Sequence, residues 1–293
     1  LVPRRSGITS RLDVDLSPQD GTSATIPLVA SNMNSVTGPR LAAALARRGG
    51  LGVLPQDMPL QDIDAAIRWV KEQPVPWDTP QVLTADATVA EAAALLPATE
   101  GHGIVVVAAL ADRIHVDDIL GVVPASRLGT ALPDARLGDL ARGRTASIDA
   151  DDVTDARHAF DLLVAAEAET VCVLHHGYLV GTLSQRTALR STLYRPAVDP
   201  GGRLIVAAAV GINGDVAAKA KALAAAGVDV LVVDTAHGHQ EGMLRALHTV
   251  AGLGLGIPLV AGNIVTAEGA RDLVAAGASI LKVGVGPGAM CTT

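Results

Sequence analysis

Leu204-Ile205-Val206-Ala207-Ala208-Ala209-Val210, Val228-Asp229-Val230-Leu231-Val232-Val233, Pro258-Leu259-Val260-Ala261 and Ile280-Leu281-Lys282-Val283-Gly284-Val285 are the runs on which the fold turns. Each is short and nearly continuous in Val, Ile, Leu or Ala, the pattern of parallel strands buried on both faces. Helix-like stretches separate them at Val216–Ala225, Glu241–Val250 and Ala267–Ala276. Gly227, Gly256 and Gly277 stand in the helix-to-strand turns, where a helix end favours a left-handed residue. This alternation predicts an α/β protein with a parallel sheet.

The same texture opens the chain. Ile26–Ala30 and Leu51–Leu54 read as strands, and Leu41–Arg48 as a helix stopped by Gly49-Gly50. Leu60–Glu72 carries Leu60, Ile63, Ala66, Ile67 and Val70 at helical spacing. Together the two stretches supply about six β-α units, roughly two short of a (β/α)8 barrel. An open doubly wound sheet is the alternative.

Between them the pattern changes. Gln73–Pro80 is a Pro-rich linker, and Thr84–Leu96 and Ser147–Val164 then read as two copies of one unit. Each has a polar turn, a helix, a β-branched strand (Ile104–Val107; Val171–Leu174) and a glycine that starts another strand (Gly121; Gly181). A repeat of about 60 residues predicts a tandem module with pseudo-two-fold packing. The domain reading is a barrel part over residues 1–77, an inserted module over 78–198, and a second barrel part over 199–293. The chain starts at Leu1 rather than Met and stops at Thr293 directly after a glycine-rich loop, so both ends are expected to be incomplete.

Composition narrows the classes. The longest apolar stretch, near Leu204–Ile212, falls far short of the roughly 20 residues that cross a bilayer. A net charge of −7 without a basic, aromatic-interleaved stripe argues against nucleic acid. Two cysteines make no disulfide framework, which reads as a reducing cytoplasm.

In a β/α barrel the functional groups lie in the loops that follow the strands. Those loops are Ser31-Asn32-Met33-Asn34, Asp234-Thr235-Ala236-His237-Gly238-His239, Gly262-Asn263 and Gly284–Thr293. Cys291, among glycines and hydroxyls, is read as a nucleophile rather than a small buried hydrophobe. Cys172 lies in an apolar run and is read as core. Gly284, Gly286 and Gly288 permit close backbone approach to a phosphate or a cation. His237 and His239 lack a third ligand nearby in sequence, which disfavours zinc. Asp234 suits a ribose hydroxyl pair or, more blandly, a helix N-cap.

Together these loops resemble the IMP dehydrogenase/GMP reductase family, a (β/α)8 TIM barrel acting on purine nucleotides. Gly284–Thr293 resembles its G-x-G-x-G-S-x-C-x-T loop, Ile26–Thr37 its phosphate and purine loop, and Gly262-Asn263 its G-N segment. The insert resembles a tandem pair of CBS modules, which stand at this position in the dehydrogenases. The likeness covers essentially the whole chain.

The resemblance implies that Cys291 attacks C2 of the purine, with Thr293 as proton relay. It implies that Ser31, with the backbone from Gly284 through Gly286, Gly288 and Ala289, holds the 5′-phosphate. Met33 would pack on the base and Asn263 would support the substrate ribose. Asp234, Thr235, His237 and Gly238 would face the nicotinamide ribose of NADPH or NAD. Carbonyls of Gly286, Gly288 and Cys291 would bind a monovalent cation, commonly K+. ATP or GTP regulation through the CBS pair and a homotetramer or octamer are also implied.

Some positions depart from the family pattern. Ala289 replaces a Ser and Asn34 an Asp, and Arg127 and Thr187 stand where CBS copies usually carry the acid that grips an adenosine ribose. Ala236-His237-Gly238-His239 and the insert look like bacterial dehydrogenases, whereas Ser31-Asn32-Met33 is closer to the reductases' A-N-M. The Gly288-Ala289-Met290-Cys291 loop is similar to an actinobacterial, IMP-dehydrogenase-related branch that combines CBS modules with reductase activity. The expected activity is therefore GMP reductase, with IMP dehydrogenase second and a catalytically inactive nucleotide sensor third.

Overall fold

The structure, a computed structural model, describes residues 7–96, 101–141 and 146–284. In chain order its elements are β1 (Val29–Ala30), α1 (Pro39–Ala46), β2 (Leu51–Leu54), α2 (Leu60–Glu72), β3 (Gln81–Thr84), α3 (Val89–Leu95), β4 (Gly103–Val107) and β5 (Ile119–Pro124). They continue as α4 (Ala125–Leu128), α5 (Leu137–Leu140), β6 (Ser147–Asp149), α6 (Ala156–Ala165), β7 (Thr170–His175), β8 (Tyr178–Ser184) and α7 (Gln185–Leu193). The last are β9 (Ala207–Val210), α8 (Val216–Ala226), β10 (Val230–Asp234), α9 (Glu241–Gly252), β11 (Leu259–Ile264), α10 (Ala267–Ala275) and β12 (Ile280–Val283). These form two compact units: residues up to Glu72 with those from Pro196 onward, and Gln73–Arg195.

The first unit is one parallel sheet of six strands in the order β1-β2-β9-β10-β11-β12. With the inserted elements set aside, neighbours in the chain are neighbours in the sheet. A doubly wound sheet reverses its order at a switch point. This sheet never does, so the curled half-barrel is the fold and the open-sheet alternative is excluded. Its inner strands are buried on both faces, with Leu54, Leu231 and all of Ala207–Val210 inaccessible or nearly so, while the edge strands β1 and β12 are partly exposed.

The helices close over the outside. On α2, Ile63, Ile67 and Val70 are fully buried and Ala66 nearly so, while Leu60 remains about half exposed. Gly227 ends α8 in the left-handed region (φ +95°), its N–H capping the Ala224 and Leu223 carbonyls. Gly256 and Gly277 also have positive φ, +69° and +112°. The boundaries differ from the sequence reading at several strands, β10 among them, which begins at Val230 rather than Val228. β1 begins only at Val29, because Pro27 has no N–H for a ladder. Leu204–Val206 are buried but lie ahead of β9, with Ile205 N–H donating to the Ala197 carbonyl. β11 runs on to Ile264 through an irregularity between Gly262 and Ile264.

At the amino ends of these strands, Lys71 Nζ donates to Asp229 at 2.6 and 2.7 Å and to Asp199 at 3.1 Å. Val206 N–H donates to Asp229 and Arg203 N–H to Asp199. Burial by itself raises the Asp199 carboxyl, but the Arg203 N–H and Lys71 outweigh it and bring it down to about 2. Asp229 goes the other way, pushed up by burial against the bonds from Lys71 and Val206.

The second unit holds two three-stranded sheets, β3-β4-β5 and β6-β7-β8. Each pairs its first two strands parallel and its last two antiparallel. Each sheet has its own helix-backed core, around Ile104, Val106 and Leu137 in one and Val171, Val173 and Leu163 in the other. The opposite faces of β4 and β7 meet in a shared seam of Val105, Val107, Ile114, Cys172 and Leu174. Cys172 is fully buried there, and burial pushes its thiol up to about 12. Gly121 and Gly181 sit inside β5 and β8 rather than at their starts, opposite Val106 and Val173. A side chain would collide with Ala141 at the first and Trp77 at the second. The shared requirement is close approach mid-strand, which sequence patterning reads only as a break.

Candidate active site

The carboxyl ends of the barrel strands carry the polar loops. After β1 the chain turns tightly: Met33 N–H donates to the Ser31 carbonyl, and Thr37 Oγ1 donates to the same oxygen at 2.5 Å. This leaves Ser31 exposed and Met33 and Asn32 half-buried. Asp234 ends β10, and its carboxylate receives one side chain from the loop after β1 and one from β12. Asn32 Nδ2 donates to Oδ2 at 2.8 Å, and Lys282 Nζ donates to Oδ1 at 2.7 Å. Each oxygen keeps a further lone pair. Asp234 is therefore a strand-end acceptor held in place from both sides. It is not a helix cap, since α9 is preceded by Gln240.

The loop after Asp234 is docked on β11 through its backbone. Thr235 N–H donates to the Gly262 carbonyl at 2.9 Å, Asn263 N–H to the Thr235 carbonyl at 2.8 Å, and Gly238 N–H to the Asn263 carbonyl at 2.7 Å. A Cβ at Gly238 would lie 2.7 Å from that Asn263 oxygen. At Gly262, any Cβ would collide with the Lys282 backbone on β12. Both glycines are there because two backbones touch.

Among the described residues, two buried side-chain acceptors on this face have no hydrogen-bond partner: Asn263 Oδ1 and Gln56 Oε1, the latter beside Gly211. A buried unpaired acceptor is costly unless something donates to it. With the Asp234 carboxylate they make a face that suits a ligand bearing hydroxyl or amide N–H groups.

His237 and His239 are not a pair. His237 is exposed, its carbonyl accepting from Gln240, whereas His239 Nε2 meets Asp272 Oδ2 at 2.7 Å. Gly284 follows β12 with φ +130°. Gly286, Gly288, Ala289, Cys291 and Thr293 lie outside the described residues. Lys282 and Gln56 are not singled out by the sequence, and Asn32 is placed there in a functional loop without a role of its own. A lone lysine inside the apolar run Ile280–Val285 is the available signal for the first; for Gln56 there is none.

Across residues 1–293 the chain matches the family described as the IMP dehydrogenase / GMP reductase domain. The chain belongs to that family. Within the IMP dehydrogenase/GMP reductase family, proteins named GMP reductase from Mycobacterium bovis and Mycobacterium tuberculosis are 48% identical to it over its whole length. Staphylococcus aureus proteins named inosine-5′-monophosphate dehydrogenase are 36% identical, again over the whole chain. The chain spans 60% of the length of these relatives. A crystal structure of GMP reductase C318A from Trypanosoma brucei superimposes with a TM-score of 0.58 at 29% identity, covering 100% of this chain and 66% of that one. The same enzyme in complex with guanosine 5′-monophosphate gives 0.58, over 98% of this chain and 62% of that one.

Proposed function

We propose that this chain carries the nucleotide-handling face of an NADPH-dependent GMP reductase, which converts GMP to IMP and ammonia. One observation carries the choice of reductase: identity is 48% to the mycobacterial proteins of that name and 36% to the staphylococcal dehydrogenases. In this reading the Cys291 thiolate adds to C2 of the purine, and the 2-amino group leaves as ammonia with Thr293 relaying its proton. Ser31 and the backbone of Gly284, Gly286, Gly288 and Ala289 hold the 5′-phosphate, Met33 packs on the base, and Asn263 takes the substrate ribose.

The residues fit a nicotinamide riboside. The Asp234 carboxylate, fixed by Asn32 and Lys282 with lone pairs to spare, accepts from ribose hydroxyls. Thr235, His237 and Gly238 complete that wall. When bound, the reduced cofactor would supply the hydride to C2, where the C2–sulfur bond then breaks, releasing IMP and regenerating the Cys291 thiolate. A K+ ion on the carbonyls of Gly286, Gly288 and Cys291 belongs to the same reading.

The repeated modules over residues 78–198 are proposed as a CBS pair regulated by ATP or GTP, in a cytoplasmic homotetramer or octamer. Arg127 and Thr187 weaken an adenosine-ribose contact there. Among the described residues, no helix is long and apolar enough to cross a membrane. IMP dehydrogenase, with NAD, is the second reading, favoured by Ala236-His237-Gly238-His239.

The test incubates the full-length protein with GMP and NADPH, then with IMP and NAD, following absorbance of the reduced cofactor. Oxidation in the first mixture is expected, and turnover confined to the second would overturn the reductase assignment. Cys291→Ala is expected to abolish turnover in either mixture, and surviving activity would remove the thiolate mechanism.

A further inference from the structure

The hairpin joining β7 to β8 turns through His175, His176 and Gly177. Adjacent residues in a strand face opposite sides, so neighbouring histidines would ordinarily diverge. Here His176 adopts a left-handed conformation, φ +50°, and the two rings come together with centroids 4.0 Å apart. Asp151, in the turn after β6, brings its Oδ1 to 3.3 Å from His175 Nδ1. One donor atom from each of the three lies within 4.8 Å of the other two, and all three side chains are open to solvent. The reaction proposed for the barrel face uses none of them.

We propose that Asp151, His175 and His176 form a binding site for a divalent first-row transition-metal ion of the Zn2+ type, with water completing the coordination. Two imidazoles and one carboxylate are zinc-class donors, whereas Mg2+ and Ca2+ prefer all-oxygen shells. Bonds of about 2.0–2.1 Å in a tetrahedron set ligand atoms roughly 3.3 Å apart. The His175–Asp151 pair already has that edge, at 3.3 Å. The third donor is brought in by rotation about side-chain torsions that nothing buried restrains. A simple surface ion pair accounts for Asp151 with one histidine but gives no role to the second ring beside it. A bound ion ties the hairpin to the β6 turn, so occupancy stabilises the folded form.

The site is tested by calorimetric titration of the full-length protein with ZnCl2 in a chelator-free, non-coordinating buffer, and by the visible absorbance of Co2+ in its place. The expectation is one equivalent of Zn2+ and the absorbance of four-coordinate Co2+. His175→Ala and His176→Ala should each weaken binding at least tenfold, with circular dichroism of the metal-free protein unchanged. Absence of saturable zinc binding overturns the proposal. So does binding that the double histidine variant retains undiminished, which would assign the ion to another ligand such as Cys291.

Discussion

A methyl group at Gly238 would sit 2.7 Å from the Asn263 carbonyl oxygen, in the middle of the backbone contact that docks the Asp234 loop on β11. Neither backbone can yield without breaking a hydrogen bond. Gly238→Ala is therefore expected to cost about 1–3 kcal/mol in denaturant unfolding, the usual scale of overpacking. If the loop serves the nicotinamide, the variant should also raise KM for NADPH more than KM for GMP. A stability and KM unchanged within error would refute the steric account. Residues of this kind are half legible in sequence. A glycine between two histidines signals special backbone, but which backbone it touches depends on β11, reached only after helix α9. Asp234 stood out as an acid ending an apolar strand, whereas its partners Asn32 and Lys282 lie 202 and 48 residues away.

Among the elements, α2 shows how much a periodic pattern carries and where it stops. The spacing of Ile63, Ala66, Ile67 and Val70 marked the buried face. Lys71, one residue on, reads as an ordinary basic residue near a helix C-terminus. In the fold its side chain is about 5% exposed and holds two aspartates. Removing one partner leaves buried charge uncompensated, so Lys71→Met is expected to destabilise by about 3–5 kcal/mol in equilibrium urea unfolding. The aspartates also set the acid limb. Asp199 is lower in the fold, at about 2, than its ordinary value of 3.8. Its contribution is thus complete above about pH 4 and lost as pH falls toward 2. Asp229, raised by burial, acts in the opposite sense at higher pH, so of these two aspartates only Asp199 contributes to the slope below about pH 4. Asp199→Asn is expected to flatten the fall in Tm across that window. An unchanged slope would show that other carboxylates govern acid unfolding.

For the molecule as a whole, the division into two units has a consequence for folding. Residues 73–195 contain two sheet cores and the seam between them, all built from their own side chains. Expressed alone, that segment is expected to unfold in one cooperative thermal transition followed by circular dichroism. A gradual, non-cooperative loss of signal would mean that its cores depend on the rest of the chain.

What the sequence determined by itself was local. Strand and helix order, the buried stripe of α2, the left-handed glycines closing the outer helices and the burial of Cys172 all follow from neighbours within a few turns. What only the tertiary structure decided was registration: Asp234 between Asn32 and Lys282, Lys71 on Asp199 and Asp229, Asp151 beside His175. The physical reason is range. Periodicity and capping are set by groups a few residues apart, whereas these pairings depend on strand order and on which loops the closing sheet brings to one end.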